Sequence, residues 1–139
     1  MGPVELMLLG RTLMKLGEQA LPSTSGGERT VVIVMSDVYE HPGTTVGEVA
    51  ARTGLPQSAV SGAVARLREA GSVLAEPDPA DRRRQLLARN PNPTARQREV
   101  AAIDIAPTVA AALSTDEPAA LTEVLTALET VARHLRPHR

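Results

Sequence analysis

The chain has 139 residues, 42% hydrophobic and 22% charged, with a formal net charge of −1, a composition that fits one globular domain with a real core and argues against wholesale disorder. It holds no cysteine, which rules out disulfides, thiolate metal sites, thiol redox sensing and a cysteine nucleophile. No apolar run approaches a membrane span and the start MGPVELMLLGRTL lacks a basic leader with a cleavage site, so a cytoplasmic protein without a membrane partner is expected.

Charge position says more than the total. Residues 1–51 set three basic side chains against six acidic ones, residues 52–98 nine arginines against four acids, and residues 99–139 three arginines against six acids. A basic island between acidic flanks suits a chain that turns one surface to a polyanion. The only aromatic residue is Tyr39, which argues against a stacking platform for single strands.

In chain order, Val4 to Leu21 reads as an amphipathic helix, with Leu6, Leu9, Leu13 and Leu16 at spacings of three and four, ended by Pro22. PSTSGGE (22–28) reads as a loop. RTVVIVMSDV (29–38) leans towards a buried strand on its β-branched run, and a short buried helix is the competing reading. His41-Pro42-Gly43 breaks the chain. Thr45-Val46-Gly47-Glu48 has the capping-box pattern, with Thr45 as N-cap and Glu48 reaching back, and opens a helix through Arg52. Gly54 makes a turn, Pro56 suits the first position of a second helix, and Gly71 ends it. SVLAE and RQLLA then read as two strands joined by PDPADRR. Asn90-Pro91-Asn92-Pro93 is a spacer, Thr94 caps a helix that Pro107 kinks or interrupts, and Asp116-Glu117-Pro118 opens a last helix with the seam Leu121, Val124, Leu128, Val131 and Leu135.

The segment Val46 to Ala65 carries a helix-turn-helix pattern. Ala50 is small where two helices cross, Gly54 follows four residues later at the turn, and Val60 six residues on points back at the first helix. On a 100° wheel Val60, Val64 and Leu67 share a buried face. Ser58, Gly62, Ala65 and Glu69 lie opposite, with Gln57, Ser61 and Arg66 on the flanks. The outward half is small and polar enough to enter a major groove, where Gln57 suits adenine and the serines several base edges. Each of these residues taken alone fits an exposed polar position on an ordinary helix equally well.

The stretch DPADRRRQLL (78–87) adds the second element. Three consecutive arginines, Arg82, Arg83 and Arg84, stand at a hairpin tip behind Asp78 and Asp81. A helix-turn-helix followed by a hairpin with a basic tip is a winged helix, whose tip cations lie along phosphates or in the minor groove.

GEVAARTGLPQSAVSGAVARLREAGSVL followed by DPADRRRQLLA resembles the MarR family (multiple antibiotic resistance regulators), with the core match over residues 44–89 and the D-x-R pattern Asp81-Arg82-Arg83 as its most specific part. The resemblance implies a mainly α fold with a small β-hairpin in one domain. A winged helix-turn-helix lobe at 29–98 is flanked by dimerisation helices in 1–28 and 107–139. It also implies a helix for RTVVIVMSDV, a homodimer, and a sequence-specific regulator of transcription, a ligand-responsive repressor on a pseudo-palindromic double-stranded operator. The DNA-binding set is then Thr45, Gln57, Ser58, Ser61, Gly62, Arg66, Arg82, Arg83 and Arg84. Arg83 enters the minor groove, Asp81 orients it, and Arg82 and Arg84 serve phosphates or the hairpin framework. A small-molecule effector is implied as well, with Met14, Met35, Tyr39 and His41, besides Met7 and Val38, as candidate walls. The chain departs from the family at Gly62, where many relatives carry a long side chain, at Pro56 and at Ala95-Arg96-Gln97.

No His–Ser–acid spacing, phosphate loop or HExxH helix appears, so no catalytic residue, cofactor or metal is expected. The alternative reading is a winged-helix module for protein partners, with weak or no specific DNA binding.

Overall fold

The computed structural model describes residues 1–22 and 28–135, so the expected loop at 22–28 falls largely outside the described residues. The elements in chain order are α1 (Pro3–Ala20), α2 (Glu28–Glu40), α3 (Val46–Thr53), α4 (Gln57–Glu69), β1 (Val73–Pro77), β2 (Gln85–Arg89), α5 (Ala95–Ala101), α6 (Ala106–Ala112) and α7 (Pro118–Leu135). They form two compact units, one from the two ends of the chain (residues 1–23 and 103–139) and one from residues 24–102. Among the described residues no helix is long and apolar enough to cross a membrane.

The central unit has its core in Val34, Val38, Val49, Val60, Ala63, Val64, Leu67, Val73 and Leu87. The segment 29–38 is helical, against its propensity. Val34 and Val38, one turn apart, are fully buried, and Val31, Met35 and Tyr39 pack beside them. Burial at helical spacing outweighs the small intrinsic cost of β-branched residues in a helix. α4 closes with Ser72 N–H on the Leu67 carbonyl at 2.8 Å and Gly71 N–H on that of Arg68 at 3.0 Å, the Schellman arrangement, with Gly71 at φ 78°. A Cβ on Gly71 would lie 2.5 Å from Thr94 Cγ2, so both the dihedral and the space demand glycine. Thr94 and Gln97 form a reciprocal capping box at the start of α5. β1 and β2 pair antiparallel, Val73 opposite Arg89 through Pro77 opposite Gln85. A third segment joins them: Gly43 N–H donates to the Leu87 carbonyl at 2.8 Å and Leu87 N–H to that of Thr44 at 2.7 Å.

The terminal unit is α1, α6 and α7, with α6 packed on each of the other two. Pro107 stands in the first turn of α6, after the break that follows α5. Asp116 and Glu117 lie just ahead of α7 rather than within its first turn. Neither α1 nor α7 contains a buried residue. Leu13 and Leu16 are half-buried, whereas Leu6 and Leu9 are exposed.

Candidate nucleic-acid interface

The helix-turn-helix is built as its spacing requires. Thr45 caps α3 by accepting from Glu48 N–H at 3.3 Å, and Gly54 takes φ 72° with its N–H on the Ala50 carbonyl. The other half of the expected capping box is absent. The Glu48 carboxylate instead accepts from the Thr44 hydroxyl at 3.4 Å and lies 3.8 Å from Arg52 Nη1. A nearby cation draws it away from the backbone. Pro56 is the N-cap of α4 rather than its first helical residue, with ψ 142°. Val60 and Val49 are fully buried where the two helices meet.

This packing leaves Gln57, Ser58, Ser61, Gly62 and Ala65 exposed on α4, with Arg66 half-buried on the flank. A Cβ at Gly62 would meet nothing within 4 Å. No contact inside the protein requires glycine there, although a helical glycine costs about 1 kcal/mol relative to alanine. Thr45 is buried and its hydroxyl oxygen is engaged by the cap.

In the wing, the three arginines have different surroundings. Arg84 donates from Nε and Nη2 to Asp78 Oδ2 at 3.3 and 3.1 Å. Asp78 is buried, and its Oδ1 accepts from Ala80 N–H at 2.9 Å. Those bonds, the Ala80 amide first and the Arg84 guanidinium second, hold the Asp78 carboxyl below its ordinary range. Arg84 is thus a framework residue. Arg82 and Arg83 are exposed, and among the described residues no carboxylate pairs with either guanidinium. Asp81 accepts from the backbone N–H of Arg83 at 3.0 Å, and its carbonyl accepts from Arg84 N–H at 3.0 Å. It shapes the turn that presents Arg83, through the backbone amide rather than the guanidinium.

One arginine of the basic island is engaged elsewhere. Arg52 meets Asp37 of α2 with Nε 3.1 Å from both carboxylate oxygens and Nη2 2.8 Å from Oδ2. It also donates to the buried Thr44 hydroxyl, and the Asp37 carboxylate raises its already high pKa. Because Thr44 also pairs with Leu87, this cluster ties α2, α3 and β2 together. Arg89 stacks over the Tyr39 ring at 4.7 Å, and the Tyr39 hydroxyl donates to the Ser72 carbonyl at 3.4 Å. Residues 37 and 52, or 44 and 87, carry no sequence signal of their pairing.

The four candidate effector residues divide between the units. Met14 is on α1, while Met35, Tyr39 and His41 belong to the central unit. Met35 and Tyr39 pack on the core, and His41 is exposed with Nδ1 2.9 Å from the Asp37 carbonyl. Among the described residues no cluster of three or more His, Asp or Glu suited to a metal ion is present.

A helix-turn-helix with a hairpin after its second helix defines a winged helix-turn-helix protein. The model of the MarR family matches residues 28–84, from the start of α2 to the arginines of the wing. Its mostly helical fold with one two-stranded hairpin is shared with known structures. Similar solved structures include overoxidized AbfR bound to DNA, at 18% identity over 96% of this chain and 90% of that one with a TM-score of 0.51. Reduced AbfR bound to DNA is similar at 18% identity over 96% and 89%, with a TM-score of 0.50. The PcaV regulator from Streptomyces coelicolor with its natural ligand is 25% identical over 94% and 93%, at a TM-score of 0.49. No curated protein matches the chain.

Proposed function

We propose that the protein is a transcriptional regulator that binds a pseudo-palindromic double-stranded operator as a homodimer, without enzymatic activity. The observation that carries this reading is the pair of exposed guanidiniums, Arg82 and Arg83, on a hairpin held rigid by Asp78 and Arg84. They share a compact unit with a helix whose exposed face is Gln57, Ser58, Ser61 and Gly62. The match of residues 28–84 to the MarR family model and the DNA-bound AbfR structures of the same fold support it. In this reading α4 enters the major groove, Arg66 flanks it, and Arg83 reaches the minor groove with Arg82 on phosphate. Asp81 acts through the turn, and Thr45 through the cap that sets α3. The exposed apolar residues Leu6, Met7 and Leu8 of α1 and Leu135 of α7 are the surface a second copy would cover. Response to a small effector and a repressor role rest on the family alone.

Selection from a pool of random duplexes, followed by footprinting, tests the reading. The expected outcome is enrichment of paired half-sites whose centres are one helical turn or a multiple of it apart. An unenriched pool would favour a winged helix that serves protein partners.

A further inference from the structure

β1 follows α4 directly through the Gly71 turn, so the chain itself roots it on that helix. β2 has no such tie. It is placed where Leu87 exchanges backbone hydrogen bonds with Gly43 and Thr44, the segment that leads into α3. Thr44 is 2% exposed, and its hydroxyl is used on both sides. It accepts from Arg52 Nη2 and donates to Glu48 Oε2 at 3.4 Å, and both of those side chains belong to α3. Arg52 is held in turn by Asp37 of α2, with Oδ2 2.8 Å from Nη2. The Leu87 side chain also packs in the core, but apolar packing has no direction, whereas hydrogen bonds to charged groups do. Packing therefore sets how deep β2 sits, and the Thr44 hydroxyl sets its angle. Arg83 stands four residues before Leu87. At ~3.3 Å per residue that is a lever of ~13 Å, so a tilt of ~10° moves the wing tip by ~2 Å. Such a shift is about a third of the ~6 Å width of a minor groove.

We infer that Thr44, locked by Arg52 and Glu48, is a positioning residue for the wing. Its hydroxyl sets the angle at which β2 carries Arg83 relative to α4, and so the ratio of specific to non-specific DNA affinity, without touching DNA. The inference rests on the DNA-binding reading above. Non-specific binding depends on how many cations lie near phosphates, which a tilted wing preserves. Specific binding needs α4 and Arg83 in their grooves at the same time. Arg52 takes part because its planar fork reaches the Asp37 carboxylate and the Thr44 hydroxyl together, which a lysine ammonium does not.

Three variants of the full-length protein test it. Thr44→Val removes the hydroxyl at nearly equal volume and keeps the backbone pairing with Leu87. Arg52→Lys breaks the fork and keeps the charge, and Thr44→Ser keeps the hydroxyl. Each is titrated at matched salt against a duplex selected by the natural protein and against a scrambled one. Thr44→Val and Arg52→Lys are expected to bind the selected duplex at least tenfold more weakly and the scrambled duplex within about twofold of the natural protein. Thr44→Ser is expected to bind both as the natural protein does. Base-pair changes beneath α4 should still weaken Thr44→Val, whereas those beneath the wing should no longer matter to it. A variant that is merely less stable loses affinity for both duplexes alike and keeps its response to every base pair. That result, or a Thr44→Ser protein no better than Thr44→Val, overturns the positioning role. The wing angle is also readable without DNA. The chain has no cysteine, so Glu69→Cys on α4 and Ala80→Cys on the wing, both exposed, take a pair of nitroxides. Dilution into unlabelled protein confines each measured distance to one chain. Adding Thr44→Val is expected to shift and broaden that distance, and an unchanged distribution overturns the inference. Should the natural protein select no duplex, the DNA-binding reading fails, and the nitroxide distance still decides whether Thr44 sets the wing.

Discussion

Arg52→Ala should destabilise the central unit well beyond the cost of a surface charge. The Asp37 side chain is 11% exposed and that of Arg52 31% exposed, and they meet through three contacts of 2.8–3.1 Å. An exposed ion pair contributes ~0.2–1 kcal/mol, whereas removing one partner of a buried pair costs ~3–5 kcal/mol. Asp37 is close to the buried case and Arg52 is a third of the way to solvent, so a loss of about 1.5–3 kcal/mol is expected. Part of that loss is the stranded carboxylate and the buried Thr44 hydroxyl, which loses its donor. Asp37→Ala/Arg52→Ala should therefore cost less than the sum of the single variants. Urea unfolding of all four proteins at pH 7, followed by circular dichroism, gives the coupling. A cost below about 0.5 kcal/mol for Arg52→Ala, or strict additivity, would refute the idea that this cluster joins α2 to α3 and the wing.

Gly71→Ala should destabilise by about 1–3 kcal/mol from the φ of 78° and the 2.5 Å approach to Thr94 Cγ2 together. Thr94→Ser in the same protein should recover the steric part while leaving the dihedral part, as read by thermal unfolding. Asp78 has a depressed carboxyl pKa, so its contribution is present above the unfolded value of about 3.9 and lost as pH falls through the lower folded value. The wing of the natural protein should accordingly loosen below about pH 4, and Asp78→Asn should flatten that dependence in hydrogen exchange of the β1 and β2 amides. An unchanged profile would show that the Asp78–Arg84 contact does not hold the tip.

Much of the central unit is legible from residue type and spacing. Gly54 and Gly71 adopt left-handed backbone where a turn and a helix end call for them, and Val60, Val64 and Leu67 are buried on one face of α4. The β-branched run of α2 shows the limit. Propensity alone points to a strand, and only the partners that bury Val34 and Val38 make the helix the better solution. The basic island shows a second limit. Counting arginines cannot separate Arg52 and Arg84, engaged by Asp37 and Asp78, from Arg82 and Arg83, because the pairing depends on folds that bring distant residues together. Glu48 fits the capping box by position, yet the neighbouring Arg52 redirects it.

The salt dependence of duplex binding tests the central assignment most directly. Each phosphate neutralised contributes a slope of ~0.9 in log K against log salt. On a duplex selected by the natural protein, Arg82→Ala/Arg83→Ala should bind more weakly at every salt concentration, with a slope shallower by about 1–2. The same affinity and slope for the double variant and the natural protein would contradict the assignment of the wing tip to DNA.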